Sequence, residues 1–141
     1  MKRNLKIVLI TVAVLGITGI VTGLYLFNLK SANLANTKPD FVISAADLEK
    51  AFETDEKGAS EKYINKIVEV TGKISSVKPG ENSAVSISIE TDNPVASVIA
   101  TFPGIKDPAF FRTGDELTFR GQCSGFLMDV LLNNCAAIIK K

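Results

Sequence analysis

Histidine and tryptophan are absent from the 141-residue chain, and cysteine occurs only twice. Without histidine there is no Ser–His–Asp triad, no Cys–His dyad and no imidazole metal site. Two cysteines are too few for a four-thiolate zinc site. Acid is missing from one whole region: none of the 15 Asp and Glu residues precedes Asp40. Four of the 16 bases (Lys2, Arg3, Lys6 and Lys30) belong to the first 30 residues. The rest of the chain therefore holds 12 bases against 15 acids, a net charge of −3 under an overall +1. That sign is opposite to the footprint a nucleic-acid binder presents to phosphate.

The acid-free stretch contains one long apolar run, Ile7 to Phe27, without a charge. At about 1.5 Å per residue it spans roughly 30 Å, the thickness of a bilayer's hydrocarbon core. Tyr25 falls near its far end, where an amphipathic ring suits the interface. Three bases before the run and Lys30 after it predict a cytoplasmic N-terminus. A cleaved signal peptide is the competing reading. Its apolar stretch is about 7–15 residues long and ends at a small-x-small site, and the sites near Ser31-Ala32 and Ala35 are poor. No cysteine follows the run closely enough to take a lipid. An uncleaved anchor is the expectation. Gly19 and Gly23, with Gly16 before them, make a G-x-x-x-G, read here as ordinary anchor composition rather than a dimerisation motif. The expected organisation is a cytoplasmic basic tail over 1–6, a transmembrane anchor over 7–27, a linker over 28–43 and a folded domain over 44–141.

The domain opens with a helix. Ser44 is its N-cap, and Ala45, Leu48, Ala51 and Phe52 form one apolar face. Glu49, Lys50, Glu53 and Glu56 occupy the other face, read as solvated. Gly58 interrupts, and residues 59–63 resume a short turn of helix. From Lys66 the period switches to two. Strands are expected over 67–77, 84–91, 95–102, 116–123 and 129–139, with Gly72 marking a bend in the first. Turns fall at 79–82, 92–94 and Ser124-Gly125, and residues 103–113 form an irregular connector. One helix followed by five strands, the first long and bent, predicts an all-β fold: a five-stranded OB-type barrel behind one transmembrane helix. Five strands are few for the alternative, a two-sheet sandwich.

Residues 45–139 resemble the tRNA-anticodon-domain-like family of exported bacterial OB-fold proteins. The similarity is carried by Ala46-Asp47-Leu48 with Phe52, Asp55-Glu56 and Lys62-Tyr63, and by the strand Lys66 to Ile74. A C-terminal signature completes it: Gly114-Asp115-Glu116-Leu117, Gly121 to Gly125, and Asp129 to Cys135. The resemblance implies a fold and an exported address, in the periplasm or at the cell exterior. It implies no catalytic residues and no cofactor.

A non-catalytic binding or interaction module, held at the membrane outside the cytoplasm, is the function expected. Its partner would be a protein, an oligosaccharide or an envelope component. Single-stranded nucleic-acid binding is the alternative, because OB barrels stack bases on their second and third strands. Ser86, Ser88 and Phe102 mark the candidate ligand face. An enzyme is not expected: Asp115 and Glu116 are adjacent, so a strand points them to opposite faces. The two cysteines pull both ways. The resemblance places Cys123 and Cys135 in one signature, and an oxidising compartment favours a disulfide between them. A hairpin turn at Ser124-Gly125 would leave them too far apart to bridge; a bridge needs the chain to reverse near Met128-Asp129, or a bulge at Asn133-Asn134 combined with a wider loop.

Overall fold

The computed structural model describes residues 2–30, 34–105 and 107–138, with the side chains of 26–30 left aside. It divides into two units, Met1–Ala32 and Asn33–Lys141. The first is a single helix, α1 (Lys2–Lys30). Thr11, Thr18 and Thr22 turn their hydroxyls back onto the carbonyls of Ile7, Val14 and Thr18 at 2.7–2.8 Å. These hydroxyls therefore present no unmet polarity to an apolar surround.

The second unit contains β1 (Phe41–Ser44), α2 (Ala45–Thr54), α3 (Glu56–Tyr63), β2 (Ile67–Pro79), β3 (Val85–Ile89), β4 (Val98–Phe102), β5 (Glu116–Leu127) and β6 (Asp129–Ala137). The five strands from β2 to β6 are those expected from the alternating runs. The sheet order is β1-β2-β3-β4-β6-β5, and β2 also pairs with β5, which closes a barrel. Closure depends on β2 serving two partners. Ile67 to Lys73 pair with β5, and Ile74 to Pro79 pair with β3 across a bulge. Inward positions alternate along each strand: Val68, Val70 and Ile74; Val85, Ile87 and Ile89; Phe119 and Cys123; Val130 and Leu132. Leu48 and Phe52 of α2 and Tyr63 of α3 join them in one core.

Gly72 is the inward position between Val70 and Ile74. A Cβ built there would overlap Ile89 Cγ2 and lie 2.9 Å from Ala45 Cβ. The vacancy lets the wall of β3 and the start of α2 approach β2 where it changes partner.

Four local features differ from the sequence expectation. The helix break falls at Asp55, not at Gly58; Asp55 caps α3 by accepting from Gly58 N at 3.1 Å. A Cβ at 58 would meet that carboxylate, so a larger residue there would displace the cap. Glu49, expected in solvent, is 2% exposed and accepts from Asn93 Nδ2 at 3.3 Å. The hairpin turns at Met128, in the left-handed region with φ 70°, and not at Ser124-Gly125. A bulge between Cys123 and Gly125 absorbs that dipeptide into β5 instead.

The fourth difference concerns the stretch expected as a linker. Leu34 is buried, and β1 adds in parallel to β2 with Phe41 opposite Val68 and Ser44 opposite Thr71. Asp40 donates its N–H to the Ile67 carbonyl at 2.8 Å, and its Oδ2 accepts from Ile67 N at 2.9 Å. Arg120 reaches from β5 to the same stretch: Nη1 donates to the carbonyls of Ala35 and Thr37, each at 2.8 Å, while Nε pairs with Glu69 at 2.9 Å. Residues 34–44 are thus part of the folded unit. Four residues are too short a run, and Pro39 too strong a breaker, for alternation to announce β1.

Two outcomes are expected. Gly72→Ala should destabilise the domain by about 1–3 kcal/mol in chemical denaturation, as overpacking of a full site does. Arg120→Ala should open residues 34–40 to limited proteolysis while the barrel core stays protected, because the variant removes the guanidinium that holds that stretch.

Candidate functional site

Alternation decides what the barrel offers on its outside. In β3 the buried positions are Val85, Ile87 and Ile89, which turns Ser86 and Ser88 outward. In β4 they are Val98, Ala100 and Phe102, which turns Ile99 and Thr101 outward. Ser86 lies opposite Thr101, and Ser88 opposite Ile99. Ser86 and Ser88 therefore occupy the outer wall. Phe102 does not. It is 1% exposed, with its ring 5.1 Å from Phe111 and 5.6 Å from Phe119. It shares the parity of Val98 and Ala100, so it closes the core rather than offering a stacking platform. Among the described residues of the domain, Phe110 is the exposed aromatic, at 71%, and it lies in the connector before β5.

A groove of about 460 Å³ lies beside Ser88. Ser75 and Ser76 at the β2 bulge, with Ser88 and Glu90 of the β3 end, form one side; the loop 91–97 and Asp129 form the other. Ser86 is outside it. The loop is held by its own side chains. Thr91 Oγ1 donates to the Ala96 carbonyl at 2.7 Å, and Asn93 Oδ1 accepts from Val95 N at 3.1 Å. Ser97 donates through N at 2.7 Å and through Oγ at 2.9 Å to Asp129 Oδ1, tying the loop to β6. Asn93 also ties it to buried Glu49 on α2. Ser75 Oγ donates to the Ser88 carbonyl at 3.0 Å. The side chains of Ser76, Ser88 and Glu90 have no such partner among the described residues. Among the described residues, no Lys or Arg lines the groove, and two carboxylates do. Among the described residues, no three His, Cys, Asp or Glu side chains converge to hold a metal ion.

Of the residues that line the groove, sequence reasoning reached Ser88 through alternation but missed the loop and Asp129. The run Thr91-Asp92-Asn93-Pro94 was legible as a turn. That it folds back to wall a groove depends on the bond to Asp129, 32 residues away in sequence.

The closed barrel defines an OB-type domain. The chain belongs to the tRNA_anti-like family, whose model matches residues 1–137. A lipoprotein of Klebsiella pneumoniae subsp. pneumoniae, provisionally designated nucleic acid-binding, has the same fold. It is 15% identical, with a TM-score of 0.57, over 70% of this chain and 92% of its own. A protein of Leishmania major provisionally designated an aspartyl-tRNA synthetase is 10% identical, with a TM-score of 0.48, over 74% of this chain and 22% of its own. No curated protein matches the sequence.

Cys123 and Cys135 are both buried and free in the structure. The chain does reverse at Met128, yet the register sets the two thiols on a diagonal. Cys123 faces Leu132, while Cys135 fills the space left by Gly121, where a Cβ would meet its Sγ at 2.5 Å. Cys135 Sγ donates to the Leu132 carbonyl at 3.4 Å. Burial pushes the Cys123 thiol up to about 11, against a backbone hydrogen bond at Gly125 that lowers it. Burial raises Cys135 as well, against a bond at Thr101. Such thiols hold little thiolate at neutral pH and are poor nucleophiles. Native protein at pH 7 is expected to leave both unlabelled by a maleimide, and unfolding without reductant to expose both, read by intact mass. Because both folded values are raised, the stabilisation is complete below the ordinary value of 9.0. It should be lost as pH climbs from there towards about 11, with a falling melting temperature.

Proposed function

We propose that this protein is a membrane-anchored, extracytoplasmic, non-catalytic binding module, with residues 7–27 as the anchor and 1–6 as a cytoplasmic basic tail. The support for the anchor is a helix that holds, within Lys2–Tyr25, an 18-residue stretch of mean hydropathy 2.5 with no buried residue. Helical hydrogen bonding satisfies its backbone internally, so a bilayer is a solvent it tolerates, whereas water is a poor one for the thirteen large hydrophobic side chains exposed between Leu5 and Tyr25. Lys2, Arg3 and Lys6 at one end favour retention of that end in the cytoplasm. The single observation that carries the binding role is the pre-shaped groove beside Ser88, walled by a hydrogen-bonded loop. Its ligand is an envelope component or a protein.

Single-stranded nucleic-acid binding is the second reading. It draws on the designation of the Klebsiella protein. It would need bases stacked on an outer wall that carries Ser86, Ser88, Ile99 and Thr101, and phosphates held where Glu90 and Asp129 lie. Lys78, opposite Ser86, is the one base paired onto that part of β3 among the described residues.

Two measurements separate these readings. Protease added to cells with an opened outer layer should remove the domain and spare a membrane-bound fragment. A fully protected domain would overturn the topology, and release of a processed chain by washing would overturn the anchor. Fluorescence anisotropy with a labelled oligothymidine should show no binding that weakens steeply with salt; such binding would favour the second reading.

A further inference from the structure

We propose that the groove beside Ser88 is a binding site for a neutral glycan chain. The proposal rests on the reading of this protein as an exported binding module and names the chemistry of its ligand.

The groove narrows the choice by what it refuses. Glu90 and Asp129 line it, and no Lys or Arg among the described residues does, so a phosphate polymer or an anionic headgroup meets repulsion from the lining. A peptide adding as an extra strand needs an open sheet edge. β3 has none here, because it pairs with β2 on one side and β4 on the other. Recognition must therefore run through side chains standing on the sheet's outer surface.

Those side chains match a ligand dense in hydroxyls. Glu90 and Asp129 are acceptors, and Ser76 and Ser88 both donate and accept. Asp129 Oδ1 is fixed by two bonds from Ser97, which orients the carboxylate before any ligand arrives. Pro94 and Val95, the latter 75% exposed, give the wall an apolar surface for the C–H faces of a sugar ring. Asn93 ties the wall to the loop's own backbone and to Glu49 on α2. Ordering of the loop is thus complete in the free protein, which removes one of the usual costs of association. An open groove of about 460 Å³ accommodates a few sugar units of a longer chain rather than enclosing one small molecule.

The test uses the full chain in a zwitterionic detergent without a sugar headgroup, titrated with maltotriose, cellotriose and tri-N-acetylchitotriose and followed by backbone amide NMR. At least one trisaccharide should shift amides of residues 75–76, 88–97 and 129, with a dissociation constant on the order of 1 mM. Glu90→Ala should weaken that binding about tenfold, as loss of a charged hydrogen-bonding partner does. Glu61→Ala, on the exposed face of α3, should leave it unchanged. Silence with all three sugars overturns the proposal. So do shifts that survive Glu90→Ala, or groove shifts produced instead by oligothymidine or a lysine-rich peptide. A wrong membrane topology would appear separately, as protection of the domain from protease in cells whose purified protein still binds sugar.

Discussion

The barrel exists because one strand is shared between two sheet halves, and that sharing turns on a missing side chain. β2 follows β5 up to Lys73 and β3 from Ile74 onward. Where partners change, two walls and the start of α2 converge on one point. Gly72 leaves that point empty, and Ile89 and Ala45 fill it. The same device recurs on β5. Gly121 is the inward position between Phe119 and Cys123, and Cys135 and Leu132 occupy its space. A strand wound tightly around a small core has room for large side chains at only some inward positions. Glycine at the others lets the opposite wall close in. The burial of Cys135 is therefore a consequence of closure, and its raised pKa follows from that burial.

Everything N-terminal to β2 is built onto this closed wall. α2 and α3 supply Leu48, Phe52 and Tyr63 to the core, and Phe126 stacks on Phe52 at 5.4 Å from the hairpin side. The stretch from Leu34 to Ser44 then lies along β2 and β5. Polar contacts hold it: Asp40 on the Ile67 backbone, and Arg120 on two carbonyls and Glu69. A guanidinium suits this task because its planar donors reach several acceptors at once. The result is a domain whose order begins well before its first helix.

The alternating runs made the five barrel strands legible, and the apolar stripe of Leu48 and Phe52 made α2 legible, because both signals are local and periodic. What was hidden depends on partners distant in sequence. Glu49 sits on the polar face of α2 by helical spacing, yet Asn93 covers it from a loop 44 residues away. β1 is a strand only because β2 offers an edge. Phe102 was assigned to the ligand face although its parity, shared with Val98 and Ala100, already pointed inward. The groove combines both cases. Ser88 follows from alternation, whereas Asp129 joins it only through the hairpin at Met128 and the bond to Ser97.

The same economy of space shapes the chemistry of the outer wall. A core this small, in a chain without tryptophan, takes up its large rings: Phe52, Phe102, Phe111, Phe119 and Tyr63 are all buried. Aromatics used that way are unavailable for stacking on the outside, so the outward positions of β3 and β4 are left to serine, threonine and one isoleucine. With acids rather than bases at the groove, the wall lacks both elements by which barrels of this shape grip single strands, a stacking platform and a cationic track. The fold is shared with anticodon-binding-like domains, but a fold lends only a scaffold, and the ligand is set by the side chains placed on it. Here those side chains are hydroxyls, carboxylates and a hydrogen-bonded loop with an apolar surface, the set on which the proposed recognition of an uncharged partner rests.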